Sequence, residues 1–228
     1  MRVCLVGAFA LAFASMLPAS IIFTPEAPGV QQTTVAGAVV TETFDGLPTG
    51  LLGAYNSAIG TYSAGGAISA ATAFGGANQT QYILTGDGSD SSQYQLTFSG
   101  LRDYFGLYWA AGDPLNLLSF YSGATLQGSF TIGDIVPSLS GAYFSNPNTG
   151  ENSSEPYAYL NFTATDAASR FDRVVFQNTA AGTAFETDNH SIVNATTVIP
   201  EPSSWLLMAA GLGTVLMLAA RRTKVLTK

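Results

Sequence analysis

The chain has 228 residues, 47% apolar and 11% aromatic, enough for one buried core plus targeting segments and too apolar for disorder. Only 10% are charged, and from Ser20 to Ile199 three arginines stand against fourteen acidic residues, 3 − 14 = −11, with no lysine. That balance repels phosphate backbones and excludes nucleic acid as a partner, while the single cysteine, Cys4, excludes thiol catalysis and thiolate metal sites elsewhere.

Met1-Arg2 precedes "VCLVGAFALAFA", one positive charge followed by a dozen uncharged residues. This is the pattern of a secretory signal, expected over residues 1–19. Small-x-small spacing offers Ala14 and Ala19 as cleavage positions. The alternative is an uncleaved anchor, for which the run is short.

Residues 20–199 lack helical periodicity and carry strand-length runs broken by Gly, Asn, Asp and Pro. Early strands are expected at "AVVTETF" and "TQYILTG". "QYQLTFSG" alternates, with Tyr94, Leu96 and Phe98 on one face. "YFGLYWA" and "LNLLSFYS" follow, separated by a turn at Gly112-Asp113-Pro114, and a hairpin turns at Ser122-Gly123. A polar loop within 132–155 is expected to cap one end. "PYAYLNFTA", "FDRVVFQN" and "HSIVNATTV" supply the last strands. Some ten short strands without helices predict an all-β fold, an antiparallel β-sandwich of jelly-roll type.

Chemistry is sparse. His190 is the sole histidine; it is expected to be a structural residue at the start of a strand, in a polar turn, since Asp188 is too close along the chain to orient it in a triad. No catalytic residue is assigned. Two carboxylates across a cleft would suffice for glycoside hydrolysis, but sequence places no such pair. Asp87 and Asp90 in "GDGSDSS" are weak calcium candidates without the EF-hand pattern, so no cofactor is expected beyond that ion. Alternation puts Tyr104, Gly106 and Tyr108 on one strand face and Phe105, Leu107 and Trp109 on the other. The second set reads as core. Tyr104 and Tyr108, with Tyr143, are candidates to stack on sugar rings.

The C-terminal segment, 200–228, has three parts. Pro200-Glu201-Pro202 holds the backbone extended. Residues 203–220 are expected to form an apolar helix whose uncharged stretch, Trp205 to Ala220, would be about 24 Å long. Arg221, Arg222 and Lys224 follow, which by the positive-inside rule lie in the cytoplasm and leave the acidic domain outside. The bland alternative is a plain single-pass anchor.

This ending resembles the PEP-CTERM sorting signal of exopolysaccharide-producing Gram-negative bacteria. "TFDGLP", "DYFGLYWAAGDPLNLLSFYSG" and the Phe-Glu-x-Asp-Asn match at Phe185 to Asn189 are similar, more loosely, to surface proteins of that family. The resemblance implies an exosortase-like processing enzyme as partner, a membrane-anchored intermediate, and final residence in the cell envelope or extracellular matrix. The function expected is a non-enzymatic structural or interaction role. A carbohydrate-binding module for exopolysaccharide is the alternative, and a glycan-active hydrolase stands third.

Overall fold

Alternating apolar residues along short runs build strands with one face for the core, and fourteen such strands make up this domain. In chain order they are β1 (Ile21–Pro25), β2 (Val39–Glu42), β3 (Gly50–Leu52), β4 (Tyr55–Asn56), β5 (Thr61–Tyr62), β6 (Gly66–Ser69) and β7 (Tyr82–Gly86). Then come β8 (Gln93–Arg102), β9 (Tyr104–Ala110), β10 (Asn116–Ser122), β11 (Thr125–Thr131), β12 (Ala158–Ala164), β13 (Phe171–Asn178) and β14 (Ala184–Val193). The structure is a computed structural model in which residues 21–179 and 181–194 are described. The expected signal segment with Ala14 and Ala19, the motif Pro200 to Pro202, the apolar helix 203–220 and the basic Arg221, Arg222 and Lys224 lie outside those residues. Among the described residues no helix is long and apolar enough to cross a membrane.

The strands form two antiparallel sheets. The larger runs β1-β12-β9-β14-β7-β6-β3, with β2 paired to the far half of β14; the smaller runs β11-β10-β13-β8-β5-β4. From β7 to β10, and again from β12 to β14, successive strands change sheet. Every backbone step in those segments therefore crosses the sandwich, and the core is sewn from both sides.

The core lies between the sheets. Phe105, Leu107 and Trp109 of β9 meet Tyr94, Leu96 and Phe98 of β8 together with Leu118, Phe120 and Phe176, all buried, as the alternation predicts. Phenylalanine supplies most of the volume: Phe120 lies 4.8 Å from Phe171 and 5.1 Å from Phe162 between ring centroids. Such off-parallel aromatic pairs add roughly 0.5–1.5 kcal/mol each beyond the area they bury.

One expectation needs correction. The final strand is expected from His190 onward, whereas β14 begins at Ala184 and is buried along nearly its whole length despite the polar run "ETDNHS". The polar loop expected within 132–155 is present over 145–155, which carries no helix or strand, and the segment ahead of it opens as a short helix, α1 (Ile132–Ile135), held by a capping box between Thr131 and Asp134. Ile132 and Ile135 point into the core, so apolar anchoring outweighs the surrounding polar composition.

Candidate functional site

The outer face of the larger sheet is roofed. Gln31 is the hub: its Nε2 donates to Asn148 Oδ1 at 2.9 Å, its Oε1 accepts from the Asn78 N–H, and its carbonyl accepts from Asn189 Nδ2 at 2.8 Å. Three segments, around residues 31, 77 and 148, are thereby tied to the sheet. The Ala77 N–H donates to Asp188 Oδ2 at 2.8 Å and closes the same layer.

This roof overturns the three tyrosine candidates. Alternation assigns Tyr104 and Tyr108 to the outer face correctly, yet they are 5% and 2% exposed, and Tyr143 is 9% exposed. Tyr104 Oη donates to Asn161 Oδ1 at 2.6 Å, and Tyr143 Oη to the Glu26 carbonyl at 2.6 Å. The hydroxyls of Tyr104 and Tyr143 serve the polar layer above the sheet, the Tyr108 hydroxyl is buried without a partner, and none of the three rings presents a face to a ligand. Of the ten tyrosines only Tyr55 and Tyr121 escape full burial.

His190 sits between the sheets, fully buried, not in a turn. A bulge in β14 places it there. Asp188 pairs with Tyr108 and Ser191 with Gly106, so one extra residue is inserted, and Asn189 adopts φ 49° to absorb it. The alternation flips at that point, so Thr187 and His190 both face inward. The imidazole stacks on Phe176 at 4.9 Å and meets Phe44 edge-on at 5.1 Å. Nδ1 lies 2.9 Å from Tyr62 Oη and Nε2 lies 2.9 Å from Thr187 Oγ1. Burial drives its pKa down to about 3, so the ring is neutral, one nitrogen donating and the other accepting. Sealed from solvent and saturated with partners, it has no access to a substrate.

The turn at 86–92 that carries the calcium candidates is closed by its own serines: Ser89 Oγ donates to the Ser91 carbonyl at 2.7 Å. Asp87 and Asp90 border one shallow groove with Asn178 and Thr179. Among the described residues no three His, Cys, Asp or Glu side chains converge to hold a metal ion.

Two surface features emerge that the sequence did not single out. On the outer face of the smaller sheet a groove of about 500 Å³ is lined by Ser63, Gln93, Gln95, Tyr121 and Arg173. The Arg173 guanidinium lies 4.6 Å from the Tyr121 ring centroid and donates to Gln95 Oε1 at 3.3 Å. The guanidinium therefore covers one face of the ring, a cation–π pair flanked by amides. Gln93, Gln95 and Arg173 share the solvent side of β8 and β13, and the juxtaposition of Arg173 with Tyr121 comes from the β10–β13 register.

The second feature is a cleft of about 440 Å³ where the turns after β7, β9 and β13 gather. Asp87, Asp113, Glu155 and Glu186 line it beside Phe74 and Tyr82. Burial above all, then the nearby charges of Asp113 and Glu155, pushes Glu186 up to about 8. Asp113 is raised by burial and by Glu155.

No protein-family model, curated protein or solved structure matches the chain.

Proposed function

We propose that the protein is an exported, non-enzymatic surface or matrix component, delivered by its C-terminal sorting signal and acting through its β domain. The observation that carries this reading is the ordered tail: Pro200-Glu201-Pro202, then sixteen uncharged residues from Trp205 to Ala220, then Arg221-Arg222. The last strand ends at Val193, so six residues, 194 to 199, separate it from the triplet and leave an enzyme room to approach. The strand order β7-β14-β9-β12 over β8-β13-β10-β11 supports a jelly roll as the scaffold. Burial of the lone histidine speaks against serine-type hydrolysis and so favours a binding or structural role.

The test is peptide mapping by mass spectrometry of the protein purified from its own host. An end near Pro200 to Pro202, without the Trp205–Ala220 peptide, supports processing by an exosortase-like enzyme. An intact Lys228 would reduce the tail to a plain anchor. A reporter fused after Val198 that stayed in the cytoplasm would sink export altogether.

A second reading, binding of exopolysaccharide, is favoured by the Tyr121–Arg173 platform. The guanidinium held over the ring offers a flat, charged group for a sugar to stack on, and Gln93 and Gln95 offer amides for hydroxyls. It replaces the site drawn through Tyr104, Tyr108 and Tyr143.

A further inference from the structure

Glu186 is the one member of the polar run in β14 with a buried carboxylate oxygen left unpaired, its other contact being its own backbone N–H. Thr187, Asp188, Asn189, His190 and Ser191 are all buried and all hydrogen-bonded. Glu186 is 8% exposed, and its Oε2 is buried with no hydrogen bond. A buried, unpartnered carboxylate oxygen is costly, on the order of 1–3 kcal/mol, and persists where it has a use. It belongs to the wall of the acidic cleft, with Asp113, Glu155 and Asp87 around the opening and Phe74, 52% exposed, at the rim. Among the described residues no arginine lines that cleft.

We propose that this cleft is a binding site for a protonated primary amine carried on a sugar or short aliphatic skeleton, with Glu186 as its buried counter-ion and Phe74 and Tyr82 as walls. Like charges gathered without a cation are relieved by one arriving from outside, and an ammonium supplies three donors to carboxylate oxygens. A bare metal ion fits less well, since the carboxylates ring a cavity and do not converge on a point. The apolar portion of the lining, Leu84, Ala111 and Ala184 with the two rings, suits a carbon skeleton. The volume lies within the usual range for small-ligand sites, about 300–1,000 Å³. The site does not depend on how the tail is processed.

A proton accompanies the ligand. Glu186 faces Asp113 from the turn after β9, Glu155 from the segment before β12, Tyr157 at the edge of β12, Tyr82 from β7 and Asp87 from the turn after β7. With its pKa near 8, Glu186 is largely protonated at neutral pH, and an ammonium beside it restores the ionised form. Binding therefore releases a proton from the carboxyl group to solvent.

The experiment is calorimetric titration of the full-length chain in detergent at neutral pH, in two buffers of different ionisation enthalpy. The probes are a glucosamine trimer, its N-acetylated counterpart, cadaverine and calcium chloride. The expected result is binding of at least one amine, the neutral trimer weaker by about tenfold or more, with buffer-dependent heat reporting proton release. Which amine binds names the source of the ligand. Glu186→Gln weakens binding about tenfold and removes the buffer dependence, while Phe74→Ala weakens it and leaves the proton release. If Glu186→Gln fails to fold, Asp113→Asn at the rim should weaken amine binding severalfold. No heat with either amine, equal binding of the N-acetylated trimer, an unaltered Glu186→Gln variant, or a response to calcium alone would overturn the assignment.

Discussion

Tyr62 of the smaller sheet and His190 of the larger one meet across the core, hydroxyl to Nδ1 at 2.9 Å, with their rings nearly parallel at 28°. The contact joins the sheets by a polar bond inside an aromatic cage of Phe44, Phe105 and Phe176. Tyr62→Phe leaves a buried ring nitrogen unpaired and should cost about 1–3 kcal/mol. His190→Ala also opens a cavity and should cost about 3–5 kcal/mol. Chemical denaturation of both variants checks the order; a Tyr62→Phe protein as stable as the parent would show that the bond contributes nothing net.

The pH profile follows from three buried groups. Burial raises Glu186 and Asp188 to about 8, for Asp188 against the opposing N–H donors of Asn189 and Ala77. Both carboxyls are protonated in the folded protein at neutral pH, while the unfolded chain ionises near their ordinary values of 4.5 and 3.8. Folding thus takes up protons between those values and 8, and stability falls as pH rises through that window. His190 acts oppositely: it stays neutral down to about 3 against an ordinary 6.5, so it withdraws stability as pH falls between them. Two carboxyls against one imidazole leave a net decline from mildly acidic to mildly alkaline pH. Thermal melts should show it, and Glu186→Gln should flatten it; a melting temperature that rises toward pH 8 would contradict the assignment.

Gly106 sits where the outer tyrosines of β9 and β12 lean together. A Cβ there would lie 2.6 Å from the Tyr159 hydroxyl, which itself donates to the Asn189 carbonyl. Gly106→Ala should therefore destabilise by about 1–3 kcal/mol through displacement of that layer, although alanine generally suits a strand better than glycine. Denaturant unfolding measures it, and a stabilised variant would mean the roof gives way freely.

Glycan binding separates the two tyrosine sets. Tyr121→Ala should abolish retention on the host exopolysaccharide in affinity electrophoresis while changing stability by less than about 1 kcal/mol, since the ring is only partly covered. Tyr104→Phe should cost about 0.5–1.5 kcal/mol by removing one of the two donors to Asn161 Oδ1, the other being Thr33, and leave retention untouched. Retention that survives Tyr121→Ala would remove the platform from consideration.

Much of the strand inventory is legible in the sequence because period-two alternation and turn residues are local signals. β8, β9, β10 and β13 fall where "QYQLTFSG", "YFGLYWA", "LNLLSFYS" and "FDRVVFQN" place them. The short strands β3 to β6 escape because two to four residues carry no period to read. The first part of β14, Ala184 to Asn189, escapes for another reason. Its polar run looks like a turn, and only partners from distant segments, Gln31, Tyr62, Ala77 and Tyr94, make its burial tolerable.

By itself the sequence determined the fold class, which residues share a strand face, and the tripartite ending on which the sorting proposal rests, because each is written in neighbouring residues. The tertiary structure decided which faces meet water. A tyrosine on an outer face is a ligand platform or a roof beam according to what lies over it, and for Tyr104 and Tyr108 that is decided by Gln31 and Asn148, forty or more residues away from either. The same holds for Glu186. Its isolation among satisfied neighbours exists only where three turns from separate strands close around it.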